Sequence, residues 1–167
     1  MSPSSTPLKL RDFALRKQAP LDGLVNLTLN LVITYLIISG AGSIPVVAPP
    51  GSEFSRSVLG SLVVPAVVIA FAISLLTTRI TINKRIKGEV SPPLEPGKRW
   101  LNWALGWGLF RALNNLLVVY GVAGIIEQFY PGAQVSPFVA ALIVGAVAGI
   151  IAYVQSAFTI SRTRDLE

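Results

Sequence analysis

Residues 100–130 read WLNWALGWGLFRALNNLLVVYGVAGIIEQFY, a long apolar stretch that contains all three tryptophans of the chain and one arginine, Arg111. An α-helix rises about 1.5 Å per residue, so about 20 apolar residues cross the roughly 30 Å of hydrocarbon in a bilayer. The stretch therefore predicts a membrane-spanning helix. An ionisable side chain inside such a helix costs roughly 3 kcal/mol or more, so Arg111 needs a compensating contact or a function.

Three further stretches have the same apolar character, and they cover residues 21–39, 58–82 and 137–160. The whole chain is 52% hydrophobic and 13% charged, whereas soluble domains carry about 25% charged residues. The sequence thus predicts an all-α integral membrane protein, a four-helix bundle whose main partner is the lipid bilayer.

The basic residues are distributed unevenly between the segments that connect these spans. Of the 14 lysines and arginines, twelve lie before the first span, at and between the second and third spans, or after the fourth, whereas Arg56 alone lies in an opposite loop. By the positive-inside rule, both termini and the linker are predicted to be cytoplasmic. Because the charges flank spans, the net charge of +6 indicates contact with anionic headgroups and not with nucleic acid.

The linker contains the clearest internal boundary, a cluster of helix-breaking residues made up of Pro92, Pro93, Pro96 and Gly97. We therefore divide the chain into a cytoplasmic N-terminal segment, a first transmembrane hairpin, a cytoplasmic linker, a second transmembrane hairpin and a tail, which cover residues 1–20, 21–87, 88–99, 100–164 and 165–167. The final Leu166 and Glu167 are interpreted as a cloning scar. Asp22 is a predicted N-cap of the first span, and Pro65 predicts a kink in the second.

The two hairpins resemble each other. Residues 23–35 align with residues 108–120 with five identities in thirteen positions, and Ser57 aligns with Ser136 further along. Because each copy has an even number of spans, two copies would share one orientation and be related by a pseudo-twofold axis along the membrane normal. The alternative is chance similarity between apolar sequences.

The repeated pattern is a first helix dotted with Asn and Thr, a short loop with an aromatic residue, and a Pro- and Ala-rich second helix that ends in Arg. It resembles a family of uncharacterised bacterial two-span membrane proteins, here in tandem. The resemblance covers both hairpins and implies a multi-pass protein of the bacterial inner membrane. It implies no activity.

A polar stripe runs along one face of the first span, where Asp22, Asn26 and Asn30 are spaced four residues apart. The repeat aligns this stripe with the region around Arg111, so the two stripes are predicted to face each other near the axis. The predicted intramembrane polar site consists of Asp22, Asn26, Asn30, Arg111, Asn114 and Asn115. Such residues either hold helices together, at about 0.6–2 kcal/mol per contact in lipid, or line a solute pathway.

Arg111 itself has two interpretations. It could stack on Trp107 and extend towards the headgroups without any further role. It could instead pair with Asp22, which the repeat places at a matching depth, so that each charge neutralises the other. We predict the pair with Asp22.

The second and fourth spans are predicted to be packing elements, because small residues recur every four positions and permit close backbone approach. These residues are Ala66, Ala70 and Ser74 in the second span, and Ala141, Gly145 and Gly149 in the fourth.

The sequence contains no cysteine and no histidine, which excludes disulfides, thiolate or imidazole metal ligands and nucleophile–histidine pairs. We therefore expect no catalytic, metal or cofactor site, and a protein that is not an enzyme. The predicted function is a small transporter or channel-like protein for a small polar or anionic solute, acting as a homo-oligomer or with a partner membrane protein. The alternative is a non-catalytic structural or regulatory membrane subunit.

Overall fold

The computed structural model describes residues 6–48, 53, 56–97 and 99–166, so residues 1–5 of the predicted N-terminal segment and Glu167 lie outside it. Its main elements are four helices, α1 (Leu10–Ile38), α2 (Val58–Ile86), α3 (Trp100–Phe129) and α4 (Pro137–Leu166). Four two-residue strands precede them in turn: β1 (Leu8–Lys9), β2 (Ile44–Pro45), β3 (Val90–Ser91) and β4 (Gln134–Val135). Each helix is long and apolar enough to cross a membrane, which confirms the predicted number of such helices.

The start of α1 differs from the prediction. The helix begins at Leu10 and continues through a π-helical turn at Ala14–Gln18, so Asp22 lies inside it and is not an N-cap. The π turn immediately precedes Pro20, whose ring and missing N–H would disturb a regular α-helix at this point. The wider turn lets the helix continue past the proline.

Serine side chains cap the first turns of α2 and α4. Ser57 Oγ accepts a hydrogen bond from the Gly60 backbone N–H at 3.0 Å, and Ser136 Oγ accepts one from the Val139 N–H at 3.4 Å. Three residues before Pro65, where the sequence predicts a kink, the regular helix of α2 is interrupted at Leu62. Proline cannot donate to the carbonyl four residues earlier, and its ring clashes with that carbonyl.

The helices pack in the order α1, α4, α2, α3. α1 lies along α4, α4 along α2 and α2 along α3, whereas the two helices of each hairpin, α1 with α2 and α3 with α4, have few contacts with each other. The predicted meeting of two polar stripes at a central axis is therefore wrong, because α2 and α4 lie between α1 and α3. The repeat alignment identified equivalent helices and did not specify which helices would occupy the centre.

Small residues on the two central helices permit this arrangement, as predicted. Ala66, Ala70 and Ala141 are buried, and Gly145 and Gly149 of α4 lie directly against the α1 backbone. Glycine at these two positions lets the helix axes approach closely, which supplies van der Waals contact where lipid provides no hydrophobic driving force.

The four strands join segments outside the helices, an addition to the all-α prediction. At the end where α1 begins, α4 ends and residues 87–97 lie, which we call the linker end, β1 pairs in parallel with β3. At the opposite end, which we call the loop end, β2 pairs antiparallel with β4. Backbone groups without helical partners are satisfied in this way.

Arg85 is the largest fully buried side chain of the described residues and lies at the linker end. Its Nε donates to the Pro92 carbonyl at 2.7 Å and its Nη1 donates to the Thr163 carbonyl at 2.6 Å. The expectation that all linker-side cations contact headgroups is thus wrong for Arg85. This guanidinium ties the end of α2 to the linker and to the last turn of α4.

Candidate functional site

The six residues predicted to form one polar site are divided between two sides of the bundle. Asn30 lines an otherwise mostly apolar groove of about 450 Å³ between α1 and α2. Arg111 and Asn115 line a smaller cavity between α3 and α4. The central helices α2 and α4 separate these two regions.

Asp22 does not pair with Arg111. Its Oδ1 accepts a hydrogen bond from Gln18 Nε2 at 2.9 Å, and its Oδ2 accepts one from Thr77 Oγ1 at 3.2 Å. The carboxylate is therefore satisfied by its own helix and by α2. The predicted ion pair is wrong because α1 and α3 lie on opposite sides of the central helices.

Three of the predicted asparagines are satisfied within their own helices. Asn26, Asn30 and Asn114 each donate an Nδ2 hydrogen bond at 2.8 Å to the carbonyl four residues earlier, on Asp22, Asn26 and Phe110 respectively. Such a bond spares part of the cost of a polar side chain in an apolar environment. These three side chains donate to no second helix in the described structure.

Asn115 behaves differently, because its Nδ2 donates across the helix interface to the Ala66 carbonyl of α2 at 2.8 Å. This contact holds α3 against α2, as predicted for residues that join helices. The rest of the Asn115 side chain lines the cavity between α3 and α4.

Arg111 lies between two aromatic rings. Its Cζ is 4.7 Å from the centroid of the Trp107 ring and 4.9 Å from that of Phe158 on α4. The stacking on Trp107 confirms that part of the alternative interpretation. Its Nε is buried without a hydrogen-bond partner, and no carboxylate in the described part of the chain pairs with the guanidinium.

The Trp107 ring is itself held in position. Its Nε1 donates to Thr159 Oγ1 of α4 at 3.1 Å, and the ring stacks on Trp103 and Phe110 at centroid distances of 6.1 and 5.6 Å. A ring fixed in this way restricts the guanidinium above it. Arg111 is therefore positioned by aromatic contacts, while its N–H groups have no protein acceptor among the described residues.

The cavity next to Arg111 has a volume of about 180 Å³. Its polar lining consists of Arg111, Asn115 and Gln155, and its apolar lining consists of Val118, Ile150, Ile151 and Val154. Gln155 is only 3% exposed, and neither its Nε2 nor its Oε1 has a hydrogen-bond partner. A buried amide without partners is costly, so this arrangement suits a ligand that supplies hydrogen bonds.

Sequence reasoning missed Gln155 and, apart from Ser74, the other buried polar residues of the central helices. On the linker-side halves of α2 and α4, the side chains of Ser74, Thr77, Thr78, Thr81, Gln155, Ser156, Thr159 and Thr163 are all buried. Their spacing of three or four residues along each helix places them on one face and could have revealed them. The hydroxyls of Thr78 and Ser156 also have no hydrogen-bond partner in the structure.

A larger cavity of about 420 Å³ lies at the linker end, where Phe13, Lys17, Lys84 and Glu89 are among its lining residues. Lys84 Nζ donates to Glu89 Oε2 at 2.8 Å, and this hydrogen bond and charge lower the pKa of the Glu89 carboxyl. Because a cation and an anion of this cavity already satisfy each other, we place the candidate site at Arg111.

No group of three or more His, Cys, Asp or Glu residues that could hold a metal ion occurs in residues 6–48, 53, 56–97 and 99–166. The side chains that line the cavity provide one cation and several hydrogen-bonding groups. A scan against protein-family models finds no match, and searches of curated proteins and of solved structures find no significant similarity.

Proposed function

We propose that the chain is a multi-pass protein of the bacterial inner membrane that crosses it four times, with both termini in the cytoplasm. Large apolar side chains on the outer helices support this proposal. Leu36 and Ile37 of α1 and Leu117 of α3 are 70%, 76% and 73% exposed, and a lipid environment would cover such a surface. The concentration of basic residues at the linker end supports the orientation.

The proposed architecture includes two hairpins related by a pseudo-twofold axis along the membrane normal. The packing order α1, α4, α2, α3 is unchanged when the hairpins are exchanged, which supports this relation. The repeat alignment makes Ser57 and Ser136 equivalent, and each serine caps the helix that it precedes, which also supports the relation. Close contacts also correspond. Gly23 of α1 faces Tyr153 of α4, and its equivalent in the repeat, Gly108 of α3, faces Ser74 of α2, which is equivalent to Tyr153.

Within this architecture, we propose that the protein binds and transports a small polar or anionic solute through the site at Arg111. The observation that carries the proposal is the cavity in which an arginine and a buried, unpartnered Gln155 line the same space. Intramembrane ionisable residues mark solute pathways in many membrane proteins. No catalytic step is part of the proposal.

The proposal includes a homo-oligomer or a partner membrane protein. Four helices in the order α1, α4, α2, α3 place two helices at the centre and leave the Arg111 cavity at the edge between α3 and α4. A continuous path would need further protein on that side, because unsatisfied polar groups are not left facing lipid.

The transport proposal is tested with the purified full chain in proteoliposomes. Volume recovery after an osmotic step is followed by light scattering for a panel of small neutral and anionic solutes. We expect recovery faster than in empty liposomes for at least one solute, and a roughly tenfold slower recovery with Arg111→Gln, which removes the cation that lines the cavity. The matched control Arg79→Gln alters an exposed arginine and should leave the rate unchanged. Equal rates with and without protein for every solute would contradict transport.

A second candidate function, a non-catalytic structural or regulatory membrane subunit, is favoured by the hydrogen bonds between helices. Thr77 bonds to Asp22, Asn115 to the Ala66 carbonyl and Trp107 to Thr159. These contacts stabilise the bundle without needing a solute. This candidate predicts no solute flux in proteoliposomes and an effect of Arg111→Gln on stability alone.

The orientation is tested by cysteine labelling, because the chain contains no native cysteine. Ala41 and Lys87 are both exposed and lie beyond opposite ends of the helices. With a membrane-impermeant maleimide, we expect Ala41→Cys to react in intact cells and Lys87→Cys to react only after lysis, since the linker end carries the basic residues. The reverse labelling pattern would overturn the proposed orientation.

A further inference from the structure

The charges around the α3–α4 cavity restrict the ligand that it can hold. Arg111 contributes one positive charge, and no acidic residue is among the described residues that line the cavity. We propose that this cavity binds a small aliphatic monocarboxylate, an inference that rests on the proposed function and names its solute class.

The hydrogen-bonding groups match a carboxylate. A guanidinium presents N–H groups in a planar fork that binds two carboxylate oxygens at once. Trp107 and Phe158 hold this fork in place without using its N–H groups. Gln155 lines the same cavity, and the two N–H groups of its buried amide also have no acceptor among the described residues.

The net charge favours a monoanion over a dianion. A second cation that acts on Arg111, Arg162, is already paired with Asp165 at 3.6 Å. One carboxylate therefore neutralises Arg111, whereas a phosphate dianion would leave a negative charge uncompensated among Val118, Ile150 and Val154. Charge without a partner is strongly disfavoured in an apolar environment. A neutral solute of the same shape would instead leave Arg111 uncompensated.

The size and lining of the cavity indicate a short aliphatic body. A volume of about 180 Å³ is smaller than the roughly 300–1,000 Å³ of pockets for drug-sized ligands. The branched side chains of Val118, Ile150, Ile151 and Val154 form the rest of the lining. A carboxylate head at Arg111 with a few methylene groups against these residues satisfies both parts of the surface.

This chemistry could come from two sources, a water-soluble short-chain acid or a fatty acid of the bilayer. Butyrate and dodecanoate carry the same head and differ only in the length of the chain. Competition between them therefore identifies the source. If butyrate binds and dodecanoate does not displace it, the ligand is a water-soluble short-chain acid. If dodecanoate binds more tightly than butyrate, the ligand is a fatty acid of the bilayer.

The test is equilibrium binding to the purified full chain in nanodiscs, followed by intrinsic fluorescence. All three tryptophans lie in residues 100–107, and the Trp107 ring lies against Arg111, so a ligand at the guanidinium should change the emission. We expect a saturable change with sodium butyrate, and none with butyramide or with inorganic phosphate at the same ionic strength. Saturable binding of phosphate or butyramide, together with no binding of butyrate, would overturn the inference.

A charge placed inside the cavity provides a sharper test that does not depend on loss of folding. Gln155→Glu introduces a carboxylate beside Arg111, which should occupy the guanidinium in place of the ligand. We expect it to raise the thermal unfolding midpoint by a few degrees and to weaken butyrate binding roughly tenfold or more. The matched control Gln128→Glu makes the same change at an exposed position, about 25 Å along α3 from Arg111, and should do neither. Unchanged butyrate binding in Gln155→Glu would overturn the inference.

The failure of this inference can be distinguished from failure of the proposed function. Butyrate binding without flux of any solute supports the ligand class and contradicts transport. Flux of solutes in proteoliposomes, together with no carboxylate binding, supports transport and overturns the ligand class. Arg111→Gln should abolish binding in the first case and slow flux in the second.

Discussion

Replacing Arg85 with methionine is expected to lower the free energy of unfolding by about 3 kcal/mol, because a hydrogen bond to a charged group is worth about 1.5–3 kcal/mol and two are lost. The Arg85 side chain is fully buried and donates hydrogen bonds to the Pro92 and Thr163 carbonyls. Methionine fills similar space but donates nothing, so the Pro92 and Thr163 carbonyls lose their charged donor. Unfolding of the purified protein by sodium dodecyl sulfate in mixed micelles measures the loss.

Two variants separate the role of Arg85 from a general effect of losing a charge. Arg79→Met removes an exposed arginine of the same helix and should cost less than about 1 kcal/mol. Arg85→Lys keeps the charge but has a single ammonium in place of the fork that reaches two carbonyls, so an intermediate loss is expected. Equal losses for Arg85→Met and Arg79→Met would show that Arg85 does not tie the linker end together.

The helices themselves could be predicted because the ability to span a membrane is a local property of the sequence. About 20 successive apolar residues are sufficient, so the structure has a helix at each predicted stretch. The start of α1 was predicted wrongly because Pro20 and Asp22 have the pattern of a helix start. A π-helical turn carries the helix through this pattern, and such a turn has no sequence signal of its own.

The contacts between helices could be predicted only in part. Recurring small residues identified the packing faces of α2 and α4, because close approach requires small side chains. The pair between Asp22 and Arg111 was wrong because it depended on the order of helices in the bundle, which a repeat does not determine. A count of basic residues likewise cannot tell that Arg85 turns inward while its neighbours remain at the surface.

Of the candidate site, Arg111 could be predicted from the sequence, whereas Gln155 could not. Arg111 was recognisable because a lone charge in an apolar helix is conspicuous in any sequence. Gln155 was missed because a single amide in α4 forms no pattern with Arg111 until α3 and α4 are placed side by side. The cavity lies between α3 and α4, which have few contacts with each other because α3 packs mainly on α2 and α4 packs mainly on α1.

A valine at Gly145 is expected to lower the free energy of unfolding by about 3 kcal/mol, at the upper end of the usual cost of overpacking. A Cβ at this position would lie 2.7 Å from the Leu31 Cβ and 2.9 Å from the Leu27 carbonyl oxygen. The first of these atoms belongs to a side chain and the second to the α1 backbone. A rotamer change cannot move either atom, so α1 would have to move away from α4.

Two further variants test this explanation in the same mixed-micelle unfolding experiment. Gly124→Val makes the same change in α3, where an added Cβ meets nothing within 4 Å, and should alter stability by less than about 1 kcal/mol. Leu31→Gly combined with Gly145→Val removes the Cβ contact but leaves the Leu27 carbonyl, so it should not restore the stability of the Leu31→Gly single variant. Full restoration would mean that the side chain alone excludes a larger residue, and a loss in Gly124→Val as large as in Gly145→Val would mean that the close approach of α1 and α4 is not the cause.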